Sequence, residues 1–327
     1  MLYPSITPLE QLQMVKDYLR LNNQFTGKTV EELRSAAAEA ASQLPVLEGA
    51  VIEEITAAPF TGEWVRAEGV RNQLFAGKQT GSEAKVQLYF HGGGFISGSC
   101  ATYRDLAARL SAASGAAVLT VGYRLAPEHP YPAANEDCLT AYRWLLKQGM
   151  PAGNIMLCGD SVGATLALMT LLTLRDHGDP LPAGACLLSP HADLVHLDGD
   201  SYDSCAELDP TGSREVNQRL LQAYIGDSVT SDYPALLSPL RMDLQDLPPM
   251  LIQAGQHEVL RSDAERLAEQ AMAAGNSVEL EIWENMWCAF QLLAAILPEA
   301  KLAIEHIGSF IKKTLQLNAP QGHLDCI

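Results

Sequence analysis

The chain has 327 residues, 47% of them hydrophobic, which is enough for one large α/β domain or two ordinary ones with a sizeable core. A net charge of −17 argues against nucleic acid and against an anionic membrane surface as partner. No apolar run reaches the ~18 residues of a membrane span, and Leu2-Tyr3-Pro4-Ser5 lacks the basic and apolar regions of a signal peptide. The seven cysteines are odd in number and show no metal-like spacing, so the expected setting is reduced and cytoplasmic, without a metal.

Residues 1–45 read as helices. Thr7-Pro8-Leu9-Glu10 has the form of a capping box, with Leu9, Leu12, Val15 and Leu19 on one apolar face. Thr29-Val30-Glu31-Glu32 opens a second helix. Both precede any strand, which makes them an addition to the core and part of a cap. Strands are expected at 51–56, 64–74 and 86–90. The third runs into His91-Gly92-Gly93-Gly94-Phe95. Three consecutive glycines at a strand end carry a large entropic cost, which is justified where the backbone must approach something closely. In a serine esterase that would be the oxyanion of a tetrahedral intermediate.

A strand at 116–123 leads into a proline-rich stretch and a helix at 134–146. A short apolar strand at 154–158 follows, then Gly159-Asp160-Ser161-Val162-Gly163, then good helix formers at 164–174. Strand, G-x-S-x-G and helix in that order make a nucleophile elbow, which lifts the Ser161 hydroxyl to the strand tip. The next strand is expected at 183–189. Residues 195–240 lose the strand–helix rhythm around one helix at 215–225, and are read as the rest of the cap. The core resumes with a strand at 250–254, a helix that Ser262-Asp263-Ala264-Glu265 would cap and Gly275 would end, a strand at 278–283 and a helix at 298–315. Residues 316–327 are expected to be a disordered tail. The alternation predicts a mostly parallel sheet of eight strands with helices on both faces. The core is assigned to 46–194 and 241–315.

His91-Gly92-Gly93-Gly94-Phe95, Tyr123-Arg124-Leu125-Ala126-Pro127-Glu128, Gly159-Asp160-Ser161-Val162-Gly163 and Leu247-Pro248-Pro249 together resemble the hormone-sensitive-lipase-like branch of the α/β-hydrolases, chiefly its microbial carboxylesterases. The resemblance implies an α/β-hydrolase fold with a helical cap, hydrolysis of a small-molecule ester through an acyl-serine intermediate, and no cofactor. It implies an oxyanion hole made by the N–H groups of Gly93, Gly94 and Val162, and short or medium acyl chains. It assigns the acid to Glu258, in the loop after the strand at 250–254. Asp263 competes, but its place at a helix start is reason enough for an acidic residue. Phe95, Asp160 and Tyr123 are candidates for the substrate pocket. Many relatives dimerise through the last strand and helix, which leaves a homodimer open.

The base is where the chain departs. The family has a histidine after the last strand, two residues before a phenylalanine. Here Cys288 precedes Phe290, and no histidine lies between His257 and His306. Imidazole titrates near neutrality and has two nitrogens, one for the serine and one for the carboxylate. A thiol has a pKa of ~8.5 and one polar atom, so it cannot bridge Ser161 and Glu258. Strongly reduced turnover is expected. Three readings stay open: an esterase whose base was replaced to stop turnover, a non-catalytic ligand binder, or activity by another route with His257 as substitute base. The plant gibberellin receptors, which resemble this family and lack the histidine, are a precedent for the binder.

Overall fold

The computed structural model describes residues 1–22, 27–43, 45–57, 59–70, 84–226 and 232–317. Among them nine strands form one sheet in the order β1-β9-β8-β7-β6-β4-β5-β3-β2. The strands are β1 (Leu2–Tyr3), β2 (Val51–Ala57), β3 (Phe60–Arg66), β4 (Val86–Phe90), β5 (Ala117–Gly122), β6 (Ile155–Asp160), β7 (Gly184–Leu188), β8 (Met250–Gly255) and β9 (Val278–Trp283). Neighbours from β1 through β5 pair in parallel, while β2–β3 and β3–β5 are antiparallel. The fold is an α/β-hydrolase fold. The strand expected to run to Leu74 stops at Arg66, its far end lying outside the described residues, as do residues 318–327 of the expected tail.

The sheet has nine strands instead of the expected eight because the N-terminal residues join it. Leu2 and Tyr3 pair with Ile282 and Trp283 of β9, and the Tyr3 ring stacks on Trp283 at 4.6 Å. Two residues carry no periodicity, so nothing local marks them as a strand. Part of the outer edge of β9 is therefore already paired within the chain.

The helices are α1 (Leu9–Leu21), α2 (Val30–Gln43), α3 (Arg104–Ser114), α4 (Ala133–Lys147), α5 (Val162–His177), α6 (Ser201–Ser204), α7 (Arg214–Ile225), α8 (Arg261–Ala273) and α9 (Pro298–Thr314). Helix α3, absent from the sequence reading, packs between the sheet and α9. Helix α5 is buried at every residue from Val162 to Leu172, which explains its lack of a polar face. None of the described helices is long and apolar enough to cross a membrane.

Two expected caps are replaced. Thr7 gives its hydroxyl to Glu299 (2.8 Å), Pro8 is the cap residue of α1, and no side chain caps that helix. The Glu299 carboxylate, which also accepts the N–H groups of Ile6 and Thr7, is the stronger acceptor. Of the expected apolar face of α1, Leu12 is buried and Val15 and Leu19 are half-buried, but Leu9 is exposed. The α8 box is not made either: α8 starts at Arg261 and the Ser262 hydroxyl pairs with Ser201. A capping box forms instead at α2, which Thr29-Val30-Glu31-Glu32 opens: Glu32 N–H is on Thr29 Oγ1 (3.3 Å) and Thr29 N–H on Glu32 Oε2 (2.7 Å). Gly275 ends α8 at a φ of 91°.

Candidate active site

Parallel strands put their C-terminal ends on one edge of the sheet, and the loops leaving β4, β6, β7, β8 and β9 meet there. Strand β6 lies between β4 and β7, and Ser161 follows it directly, with its N–H on Leu188 O at 2.8 Å. Ser161 has φ 51° and ψ −123°, a conformation a non-glycine residue holds only when its surroundings over-determine it. The close approach that does so is visible at Gly163. A Cβ there would sit 2.0 Å from Phe90 O, and one at Gly159 would sit 2.4 Å from Gly163 O. Gly163→Ala is expected to cost about 3 kcal/mol, since the obstructing atoms are backbone. The midpoint of urea unfolding measures this, and a loss below ~1 kcal/mol would mean that β4 and α5 can part at this point.

The glycine loop arches beside the elbow. Gly93 has a φ of 114°, and a Cβ there would lie 2.3 Å from Ser97 O. Among the described residues, the N–H groups of Gly93 and Gly94 donate to no other group. Val162 opens α5, in the first turn where an N–H lacks an intrahelical acceptor. Gly93, Gly94 and Val162 thus carry N–H groups without an acceptor among the described residues, on the glycine loop and at the start of α5.

Phe95, Asp160 and Tyr123, expected in a substrate pocket, are all buried and have internal partners. Phe95 stacks on Tyr224 of α7 at 3.6 Å. The Tyr123 hydroxyl donates to His91 O (2.7 Å). Asp160 accepts from Tyr89 (2.9 Å), Tyr103 (2.8 Å) and the Gly92 N–H (3.0 Å), fixing the first glycine of the loop to the elbow. Burial pushes its carboxyl up to about 6 against those three hydrogen bonds. Residues 123–128 serve the same loop: Ala126 N–H reaches Phe95 O at 2.9 Å, and Arg34 of α2 grips Glu128 (2.7 Å) and Ile96 O (2.7 Å).

Glu258 is fully buried in the loop after β8. Its Oε2 accepts from Ser189 Oγ (2.8 Å) and from Gly255 N–H (3.0 Å). Its Oε1 is buried with no partner among the described residues. Burial raises the carboxyl to about 8, with the Asp209 charge adding and the two hydrogen bonds opposing. The loop after β9 is bound to this one: Gln256 N–H meets Trp283 O (2.8 Å), His257 N–H meets Met286 O (2.8 Å), and Ala289 N–H meets Ser189 Oγ (3.0 Å). Those bonds bring Cys288 to the site.

Cys288 is half-buried, packed against the cluster of Leu197, Tyr202, Cys205, Val259 and Leu260. Burial drives its thiol well above the ordinary range. The charges of Glu258, Asp209 and Asp160 add to this, and a hydrogen bond with Ser161 opposes it. Ser161 and Glu258 are therefore both neighbours of Cys288, but the neutral thiol does not bridge them and has no lone pair basic enough to take a proton near pH 7.

The other candidates lie elsewhere. Asp263 is buried and accepts the N–H of Asp193 (3.2 Å), which ties α8 to the loop after β7. His257 Nδ1 meets Lys16 Nζ of α1 at 2.7 Å. Burial, Lys16 and Arg261 lower the ring to about 4, so at neutral pH it accepts from the ammonium. His257→Ala is expected to leave any residual ester hydrolysis within about twofold in initial-rate assays; a tenfold loss would reinstate it as a base. Sequence reasoning missed Ser189, Asp209 and Lys16, whose only signal is their place in three dimensions. No group of three or more His, Cys, Asp or Glu among the described residues is arranged to hold a metal.

A model of an α/β-hydrolase family matches residues 87–292. An acetyl-hydrolase of Streptomyces hygroscopicus is 39% identical over 305 residues, spanning 92% of this chain and 96% of that protein. An esterase of Acinetobacter venetianus is 37% identical over 246 residues, spanning 75% and 80%. A solved esterase of the bacterial hormone-sensitive lipase family superposes with a TM-score of 0.86 at 36% identity, covering 95% of this chain and 100% of its own. With the elbow, the glycine loop and the loop after β8 of one mostly parallel sheet meeting at a single edge, the chain belongs to the hormone-sensitive-lipase-like family of α/β-hydrolases.

Proposed function

We propose that this chain is a carboxylesterase scaffold acting through an acyl-serine intermediate, with turnover strongly reduced because Cys288 occupies the place of the base. Ser161 is the nucleophile. The N–H groups of Gly93, Gly94 and Val162 hold the oxyanion, and Glu258 is the acid that would orient a base at position 288. The substrate is a small ester with a short or medium acyl chain, in line with relatives described as an acetyl-hydrolase and an esterase. Residues 1–45 and 195–240 are read as the cap. Support comes from Leu220 of α7, which would lie 2.5 Å from a Cβ on Gly94, and from the Lys16–His257 contact. The six cysteines among the described residues are free, in keeping with a reducing compartment.

One observation carries this reading: the buried Glu258 Oε1 without a partner, next to Cys288. Leaving a buried acceptor unsatisfied costs roughly 1–3 kcal/mol. A carboxyl aimed at nothing is what remains when an imidazole that donated to it is replaced by a thiol. The test is paired initial-rate hydrolysis of a short-chain aryl ester by this chain and by Cys288→His.

The same Cys288 also favours a second reading, a non-catalytic binder of small ligands in the same pocket. Labelling by an organophosphonate separates the two. An activated serine reacts, whereas a binder that stays unlabelled even as the Cys288→His variant has lost more than its base.

A further inference from the structure

We infer that Asp209, in the stretch between α6 and α7, is a positioning residue that clamps the acid loop at Val259 and so holds Glu258 in its place. The inference rests on the assignment of Glu258 as the acid. Asp209 is buried, and its two carboxylate oxygens face different parts of the chain. Oδ1 accepts from Thr211 N–H (2.8 Å), Thr211 Oγ1 (2.9 Å) and Gly212 N–H (3.0 Å), a local turn that leads to Ser213, the cap of α7. Oδ2 accepts from Val259 N–H (2.9 Å), fifty positions away and directly after Glu258. A turn alone needs only the first oxygen and no burial. The second is used where the acid loop would otherwise have a free N–H.

The residues flanking Glu258 are thus held from opposite sides. His257 is fixed by Met286 O of the loop after β9, and Val259 by Asp209. Gly212 packs there as well: a Cβ on it would lie 3.0 Å from Val259 Cγ2. A carboxylate that must meet an imidazole has to be placed to within about 0.5 Å, and a loop pinned at both neighbours meets that demand. The charge of Asp209 also reaches the site. The groups it acts on are Glu258 of the acid loop, Cys288 of the loop after β9, Lys16 of α1 and Cys205 after α6.

The test uses two readouts. In a Cys288→His parent, Asp209→Asn keeps an oxygen for Thr211 and Gly212 but turns an amide towards the Val259 N–H. The expected result is a kcat lower by tenfold or more, with KM within threefold, Tm within a few degrees, and a shifted acid limb in the pH–rate profile. Thr211→Ala, which weakens the turn but leaves the Asp209–Val259 bond in place, stays within about threefold of the parent. Equal losses in both variants, or a loss that follows Tm, would overturn the inference. The second readout needs no turnover. In the otherwise unaltered chain, the rate at which iodoacetamide alkylates Cys288 at pH 8, followed by peptide mass, is expected to rise severalfold in Asp209→Asn, because the thiol packs against the cluster that holds Val259 and losing the Val259 N–H bond loosens that cover. An unchanged rate overturns the inference. An inactive Cys288→His parent would count against the esterase reading, and the alkylation arm would still decide on Asp209.

Discussion

Replacing Cys288 by histidine is expected to raise kcat/KM for a short-chain aryl ester by a hundredfold or more, on the order of a triad-member effect. Two gains act together. An imidazole at position 288 can accept the Ser161 proton near its own pKa, which the thiol, held well above its ordinary range, cannot. Its other nitrogen can donate to the Glu258 Oε1 that now lacks a partner. That bond favours the ionised carboxylate, which then stabilises the imidazolium of the transition state. At present the carboxyl, raised to about 8, is largely protonated at neutrality and offers no such charge. Initial rates for the two proteins, and for Ser161→Ala added to the Cys288→His variant, form the measurement, and the serine substitution should bring the rate back down by several powers of ten. Equal and negligible rates in the first two would set the esterase reading aside and put the ligand-binding one in the lead.

The stability of the chain is expected to fall as pH rises towards 9, with Glu258 as the largest source. Its folded pKa of about 8 lies above the ordinary 4.5, so the native state binds a proton that the unfolded state releases. The stabilisation from that proton is complete below the unfolded pKa and is lost as pH climbs through the folded one. At about 1.4 kcal/mol per unit, the full span is worth on the order of 5 kcal/mol. Asp263, raised by burial to about 7, and Asp160, raised to about 6, act in the same direction. The histidines His91, His191 and His257, each lowered to about 4, act oppositely, but only below about pH 6.5. Comparing the native chain with Glu258→Gln cancels those other groups. The amide resembles the protonated acid, so the variant should match the native chain near pH 5 and exceed it by several kcal/mol near pH 9 in urea unfolding. Parallel stability curves would show that Glu258 ionises freely in the fold. Cys288→His should flatten the native curve too, since its imidazole relieves the same carboxylate.

Much of the architecture is legible in local signals. Apolar runs of strand length, helix formers and turn residues recover eight of the nine strands and most helices, because each element is encoded by its own neighbours in the chain. The elbow and the glycine loop are legible for the same reason. A left-handed or crowded backbone requires glycine, and Gly93 and Gly163 stand where a Cβ would meet a carbonyl oxygen. Cys288 is equally plain as a departure from a pattern. The limits of local reading are equally physical. Thr7 and Ser262 have the form of caps, yet Glu299 and Ser201, remote in the chain, take their hydroxyls.

By itself, then, the sequence determined the fold class, the serine at its turn and the glycine loop, and it put Cys288 where the resembling family's pattern has histidine. All of these follow from residues within a few positions of one another or from one residue type at one place. The tertiary structure decided what the polar residues are for. Asp160, expected at the substrate, supports the glycine loop; His257, considered as a base, rests on Lys16; Ser189 bonds Glu258 and Asp209 bonds Val259 beside it. The reason is that the behaviour of a carboxyl, an imidazole or a hydroxyl is set by burial and by the few groups within hydrogen-bond reach. Those groups come from segments tens to hundreds of residues apart, which only the closed sheet edge brings together.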